Sequence, residues 1–127
     1  MSNPVVHFEI IGQDGEKTKQ FFADLFDWSI TSDNPMNYGL LDPGRGTGPD
    51  GNPIGIGGGI GGAMGDSPGY VTIYVSVDDV EAALVKAESL GGTRLFGPET
   101  IMPGITIGTF TEPEGKTIGL LQAPADA

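Results

Sequence analysis

Polar and apolar positions alternate from Val5 to Ile11, with Val6, Phe8 and Ile10 on one parity and Val5, His7, Glu9 and Ile11 on the other. That period predicts a β-strand with two different faces. A helix follows: Asp14 is placed to cap it, Glu16 falls in its first turn, and Phe21, Phe22, Leu25 and Phe26 form a stripe at helical spacing. Short strands are predicted over Trp28–Thr31 and Tyr38–Leu41, then a Gly-, Pro- and Asn-rich loop from Pro43 to Pro53. The order then recurs. In Tyr70–Val77, residues Val71, Ile73, Val75 and Val77 alternate with Thr72, Tyr74 and Ser76. Asp79 caps a second helix striped by Val80, Ala83, Leu84, Ala87 and Leu90 and ended by Gly91-Gly92. Strands are predicted over Thr93–Phe96, Thr106–Thr111 and Thr117–Leu121.

The recurrence is an internal repeat. At an offset of about 65, His7 falls on Thr72, Glu9 on Tyr74, Asp14 on Asp79, Glu16 on Glu81 and Leu25 on Leu90. At about 64, Pro49-Asp50-Gly51-Asn52 overlays Pro113-Glu114-Gly115-Lys116, and Ile54-Gly55-Ile56 overlays Ile118-Gly119-Leu120. Each half is βαβββ and too small to bury a good core alone. The expected fold is α+β, two βαβββ modules in tandem forming one curved-sheet cavity with the helices outside. Module one spans residues 4–62, a linker 63–68 and module two 69–123 of a single domain. In that arrangement Val6, Phe8, Ile10, Val71, Ile73 and Val75 pack against the helices, while His7, Glu9, Thr72, Tyr74 and Ser76 face the cavity, the default place for a ligand.

Composition narrows the function. The chain of 127 residues carries 17 acidic and 6 basic side chains, a formal net charge of −11. Such a surface repels phosphate backbones and anionic bilayers, so neither nucleic acid nor membrane is an expected partner. Part of the charge sits at helix starts, in Asp14, Asp78, Asp79 and Glu81, where it complements the helix dipole. With no cysteine there are no disulfides, thiolate ligands or cysteine nucleophiles. Met1-Ser2-Asn3-Pro4 offers no secretory n-region, and no apolar run approaches about 18 residues, so a cytoplasmic protein is expected. The 22 glycines need a local cause. Gly57-Gly58-Gly59-Ile60-Gly61-Gly62 contains a literal GxGxxG, but Met64-Gly65-Asp66-Ser67-Pro68-Gly69 cannot open the helix a dinucleotide site requires. The run reads instead as a last strand with close backbone approach, leading into the link between modules.

Several motifs carry a family resemblance: Val6-His7-Phe8-Glu9-Ile10, Phe21-Phe22 through Leu25-Phe26-Asp27-Trp28, Val77-Asp78-Asp79-Val80-Glu81-Ala82-Ala83, Leu90-Gly91-Gly92 and Glu112-Pro113-Glu114-Gly115-Lys116-Thr117-Ile118-Gly119-Leu120. In their order and spacing the chain resembles the vicinal oxygen chelate superfamily of glyoxalase I, bleomycin-resistance proteins and extradiol dioxygenases. It looks most like the branch of lactoylglutathione-lyase-related proteins. The resemblance implies a homodimer. It also implies metal-ligand positions on the first and last strand of each module, which carry over to His7, Gly55, Thr72 and Gly119. Only His7 is a good donor there, so neither a metal nor another cofactor is expected.

His7 and Glu9 lie on one strand face with Cα atoms about 6.7 Å apart, a spacing that suits an acid–base pair. The same His7 also suits the wall of a binding pocket. Tyr38 and Tyr74 can bond or stack on a ligand, or fill a core; Trp28 and Phe110 are apolar wall or core. The candidate ligand-binding set is His7, Glu9, Tyr38, Thr72, Tyr74 and Phe110. Two functions follow: a metal-independent small-molecule-binding protein that sequesters its ligand, or a lyase or isomerase using His7 and Glu9 for proton transfer on a small organic substrate.

Overall fold

The computed structural model describes residues 2–41, 46–47, 50 and 53–123. In chain order its elements are β1 (Val5–Gly12), α1 (Gly15–Phe26), β2 (Gly39–Leu41), β3 (Gly46–Thr47), β4 (Pro53–Ile54), β5 (Gly57–Gly62), β6 (Gly69–Ser76), α2 (Val80–Ser89), β7 (Thr93–Met102), β8 (Ile105–Thr111) and β9 (Thr117–Gln122). This is the α+β fold of two βαβββ modules. The chain divides into two compact units, His7–Val71 and Met1–Val6 with Thr72–Ala127. β1 and β6 are each divided between the units, at Val6/His7 and Val71/Thr72, which are repeat-equivalent positions.

In the His7–Val71 unit β5 lies between β1 and β2, parallel to the first and antiparallel to the second. Asp14 caps α1 by accepting from the Lys17 amide, and the Thr18 hydroxyl donates to the Asp14 carbonyl. The apolar stripe expected on α1 is only partly used. Phe22 stacks on Trp28, which also meets Phe8 and Phe26, whereas Phe21, Leu25 and Phe26 stand 59%, 57% and 51% exposed. The strand expected over Trp28–Thr31 reduces to one bridge between Thr31 and Leu40. Within the expected Pro43–Pro53 loop, the described residues include the short β3–β4 pair.

In the other unit the order is β6-β9-β8-β7, parallel at β6–β9 and antiparallel elsewhere. Asp79 caps α2 by accepting from the Ala82 amide. Val80, Leu84 and Leu120 are the buried core, with Val75, Val77, Ala83 and Phe110 packed on it. Val71 and Ile73, expected against a helix, are exposed, as is Val6 of β1. A ten-residue helix is about 15 Å long and an eight-residue strand about 26 Å, so α2 covers only the end of β6 that carries Val75. β7 runs on from the expected Thr93–Phe96 to Met102, through register shifts against β8.

Strand pairing also corrects the repeat. Glu9 is registered with Gly59 and its repeat mate Tyr74 with Gly119, so the last strands correspond at an offset of 60. The turn before each strand agrees: Pro53 matches Pro113, and Gly55 matches Gly115, with φ of +86° and +94° and open space at each Cβ position. Gly55 is thus a turn glycine needing left-handed backbone, and Gly59 holds the strand position expected of it. The overlay expected for Pro49–Asn52 falls, apart from Asp50, outside the described residues.

Candidate functional site

Alternation along β1 places His7 and Glu9 on one face, and a single phenol joins them. The Tyr38 hydroxyl donates to Glu9 Oε1 at 2.8 Å and lies 3.1 Å from His7 Nε2. The His7 and Tyr38 rings are near parallel, 20° apart with centroids 6.3 Å apart. The Tyr70 hydroxyl donates to the other carboxylate oxygen, Glu9 Oε2, at 3.1 Å. Glu9 is 8% exposed, a carboxylate taken out of water with a phenol on each oxygen. Burial holds the His7 imidazole below its ordinary pKa, and the charge of Glu9 opposes that shift without cancelling it. The Tyr70 phenol is pushed up to about 12, first by burial and then by the charge of Glu9 and the hydrogen bond to it.

Tyr38 reaches this position because three parts of the unit converge on its backbone. The Asn34 side chain grips it twice, accepting from the Tyr38 amide at 2.9 Å and donating to its carbonyl at 2.7 Å. The preceding Asn37 has a φ of +53° and donates through its side chain to Glu16 Oε2. Buried Lys19 on α1 donates to Glu16 Oε2 and to the Asn37 carbonyl. Glycines on β5 make room for the rings. A Cβ on Gly58 would lie 2.3 Å from the Phe8 ring, and one on Gly59 would lie 1.9 Å from Tyr38 Oη. The glycine run is thus a strand on which aromatic rings lie flat.

The remaining candidates belong to the other unit. Thr72 is buried and its hydroxyl donates to the Thr117 carbonyl at 2.6 Å, which commits it to the backbone. Tyr74 is buried with its ring over Gly119, where a Cβ would meet it at 2.6 Å. Phe110 is on the α2 side of the sheet, packed on the Val80–Leu84–Leu120 core. There it lines an apolar groove of about 360 Å³ with Val75, Val77 and Leu120. A polar hollow of about 490 Å³ at the start of α1 is lined by Asp14, Glu16, Lys19 and Asn37. Tyr70 was not among the sequence candidates, although it has the parity of Thr72 and Tyr74 on β6; Asn34 and Lys19 gave no signal.

The resemblance raised the question of a metal centre, and the residues present do not fit one. Gly59 and Gly119, the last-strand positions, have no side-chain donor, and the rings of Tyr38 and Tyr74 fill the space beside them. Thr72 is a poor donor. Among the described residues no three His, Cys, Asp or Glu side chains cluster as a metal ion needs.

The family model of the Glyoxalase/Bleomycin resistance protein/Dioxygenase superfamily matches residues 5–120. No curated protein matches the chain by sequence. Among solved structures, a methylmalonyl-CoA epimerase in complex with methylmalonyl-CoA and NH4+ is similar, with a TM-score of 0.63, 17% identity, and 98% of this chain and 97% of that chain covered. A Streptomyces coelicolor methylmalonyl-CoA epimerase variant in complex with 2-nitronate-propionyl-CoA gives 0.61, 17%, 95% and 97%. A hypothetical protein from Bacillus halodurans C-125 gives 0.65, 13%, 100% and 99%. At these identities the likeness is one of fold.

Proposed function

The chain belongs to the glyoxalase/bleomycin resistance/dioxygenase superfamily, and we propose that within it the protein is a metal-independent small-molecule-binding protein that sequesters its ligand. The observation that carries this is the tyrosine ring over each last-strand glycine, Tyr38 on Gly59 and Tyr74 on Gly119, where a metal-binding relative needs a donor. His7, Glu9 and Tyr38 form the polar surface that meets the ligand. The motif set supports a place in the lactoylglutathione-lyase-related branch. A thermal-shift screen setting cationic glycopeptides against neutral carbonyl metabolites tests the reading. We expect one class to give saturable, stoichiometric stabilisation without product, weakened about tenfold, the worth of one hydrogen bond of ~1.4 kcal/mol, in H7A. Equal affinity in H7A would refute it.

One observation favours the second function, an isomerase or lyase. His7 and Glu9 are not merely neighbours, because Tyr38 bonds to both. A bound ligand that exchanges hydrogen for deuterium in D2O supports this reading. A homodimer in the cytoplasm is part of the proposal, and no described helix is long and apolar enough to cross a membrane. Phe21, Leu25, Leu95 and Met102, each more than half exposed, supply apolar surface for a second copy. Sedimentation showing a monomer at micromolar concentration would remove that element.

A further inference from the structure

The inward face of α2 is uneven. Val80 and Leu84 are fully buried, and Gly108 on β8 lets them lie on the strand, where a Cβ would stand 2.7 Å from Val80 and 3.1 Å from Leu84. Ala83 and Ala87 share that side of the helix at helical spacing, but their side chains stop at Cβ. The sheet below them is therefore left partly uncovered. Phe110, two residues beyond Gly108 on the same strand face, and Ile118, its partner on β9, line the groove of about 360 Å³ with Val75 and Leu120. Leu90, at the end of α2, also lines it and is 69% exposed. Apolar side chains thus surround a hollow that stays open to water, the usual setting of a small-molecule site.

The charged groups at the groove are not equivalent. Glu112 Oε1 accepts from the amides of Glu114 and Lys116 at 3.0 and 2.8 Å, which commits that carboxylate to the turn before β9. Lys86 lines the groove as well. Among the described residues Lys19, Arg94 and Lys116 each pair with a carboxylate, and Lys86 does not. We propose that this groove is a ligand site in its own right, independent of His7 and Glu9, for a monocarboxylate with an apolar body of about six to twelve carbon atoms. The size follows from the volume: a cavity of roughly 150 Å³ holds one benzene ring, and this groove has somewhat more than twice that. The apolar body lies on Phe110, Ile118 and Leu120, and the carboxylate meets the Lys86 ammonium. A net charge of −11 opposes an anion elsewhere on the surface, so the body supplies most of the affinity and Lys86 the choice of head group.

Proton–nitrogen correlation spectra of the full chain, titrated with hexanoate, octanoate, 1-octanol and octylammonium, test the site. We expect saturable shifts at the Ala87, Leu90, Gly92 and Ile118 amides, and an affinity that rises about three- to fourfold per methylene from hexanoate to octanoate. Octanoate should bind about threefold more tightly than octanol, the worth of one exposed ion pair. K86M removes the charge and should erase that lead while leaving octanol unchanged. A87L keeps a strong helix former, fills the groove and should weaken octanoate about tenfold. Circular dichroism shows whether A87L folds; the chain-length series and K86M decide the matter if it does not. No saturable shift with octanoate, an affinity independent of chain length, octylammonium binding as tightly as octanoate, or unchanged binding in folded A87L would overturn the proposal. So would shifts at these amides that grow with protein concentration before any probe is added, which mean that a second copy occupies the groove.

Discussion

Substituting Gly59 by alanine isolates the contact on which the site depends. The three atoms nearest an added Cβ all belong to Tyr38: Oη at 1.9 Å, Cζ at 2.0 Å and Cε2 at 2.1 Å. No real Cβ approaches so closely, so the ring must leave. Its backbone is held by the Asn34 side chain, so the ring swings away and both of its hydrogen bonds are lost. Overpacking typically costs about 1–3 kcal/mol, and losing a hydrogen bond to a charged group about 1.5–3 kcal/mol. Water recovers part of the second term at a half-buried site, so G59A should destabilise by about 2–4 kcal/mol. The backbone of Gly59 is outside the left-handed region, and with the ring gone alanine should be neutral or stabilising by ~0.5 kcal/mol. Urea titrations of wild type, G59A, Y38A and the double variant close a cycle, with an expected coupling of about 2–4.5 kcal/mol. A G59A loss below ~0.5 kcal/mol, or an equal loss in the Y38A background, would refute the close approach.

Burial depresses the His7 pKa in the folded protein, so the unfolded chain binds more protons below about pH 6.5. Stability should therefore fall as pH drops through that value and level off below the folded pKa, and H7Q should lose this dependence in urea titrations across pH 4.5–7.5. In a spectrophotometric titration the Tyr70 phenol should ionise near pH 12, and Y70F should remove that step. L84A empties a fully buried site in the α2 core and should cost about 2–5 kcal/mol by thermal or urea unfolding. D79A removes the cap that accepts from the Ala82 amide and should cost about 1 kcal/mol by the same assay.

Much of the fold is legible in the sequence because both modules repeat the same local devices. Asp14 and Asp79 cap their helices, and Val75 and Val77 pack where the alternation put them. The repeat register at the last strand is less legible, since a glycine needed for positive φ and one needed for close approach are the same letter. Ile54-Gly55-Ile56 resembles Ile118-Gly119-Leu120 more than Gly58-Gly59-Ile60 does, yet Gly59 pairs with Glu9 as Gly119 does with Tyr74. Of the site, strand parity gave His7 and Glu9 and held a usable signal for Tyr70. Nothing local places the Tyr38 hydroxyl between His7 and Glu9, because that depends on Asn34, Asn37 and Lys19 folding a loop back on the strand. Exposure at Val71 and Ile73 likewise depends on helix length rather than on alternation.

The rings of Tyr38 and Tyr74 stand over Gly59 and Gly119, where a metal-binding relative needs last-strand donors, and the proposed function rests on metal-free binding. Elemental analysis of protein prepared without a metal-affinity step, followed by ligand titration before and after exhaustive chelation, tests this. Zinc, nickel and iron should each be well below one equivalent, and the affinity should be unchanged by the chelator. One equivalent of any of them, with binding lost on chelation and restored on its return, would contradict it.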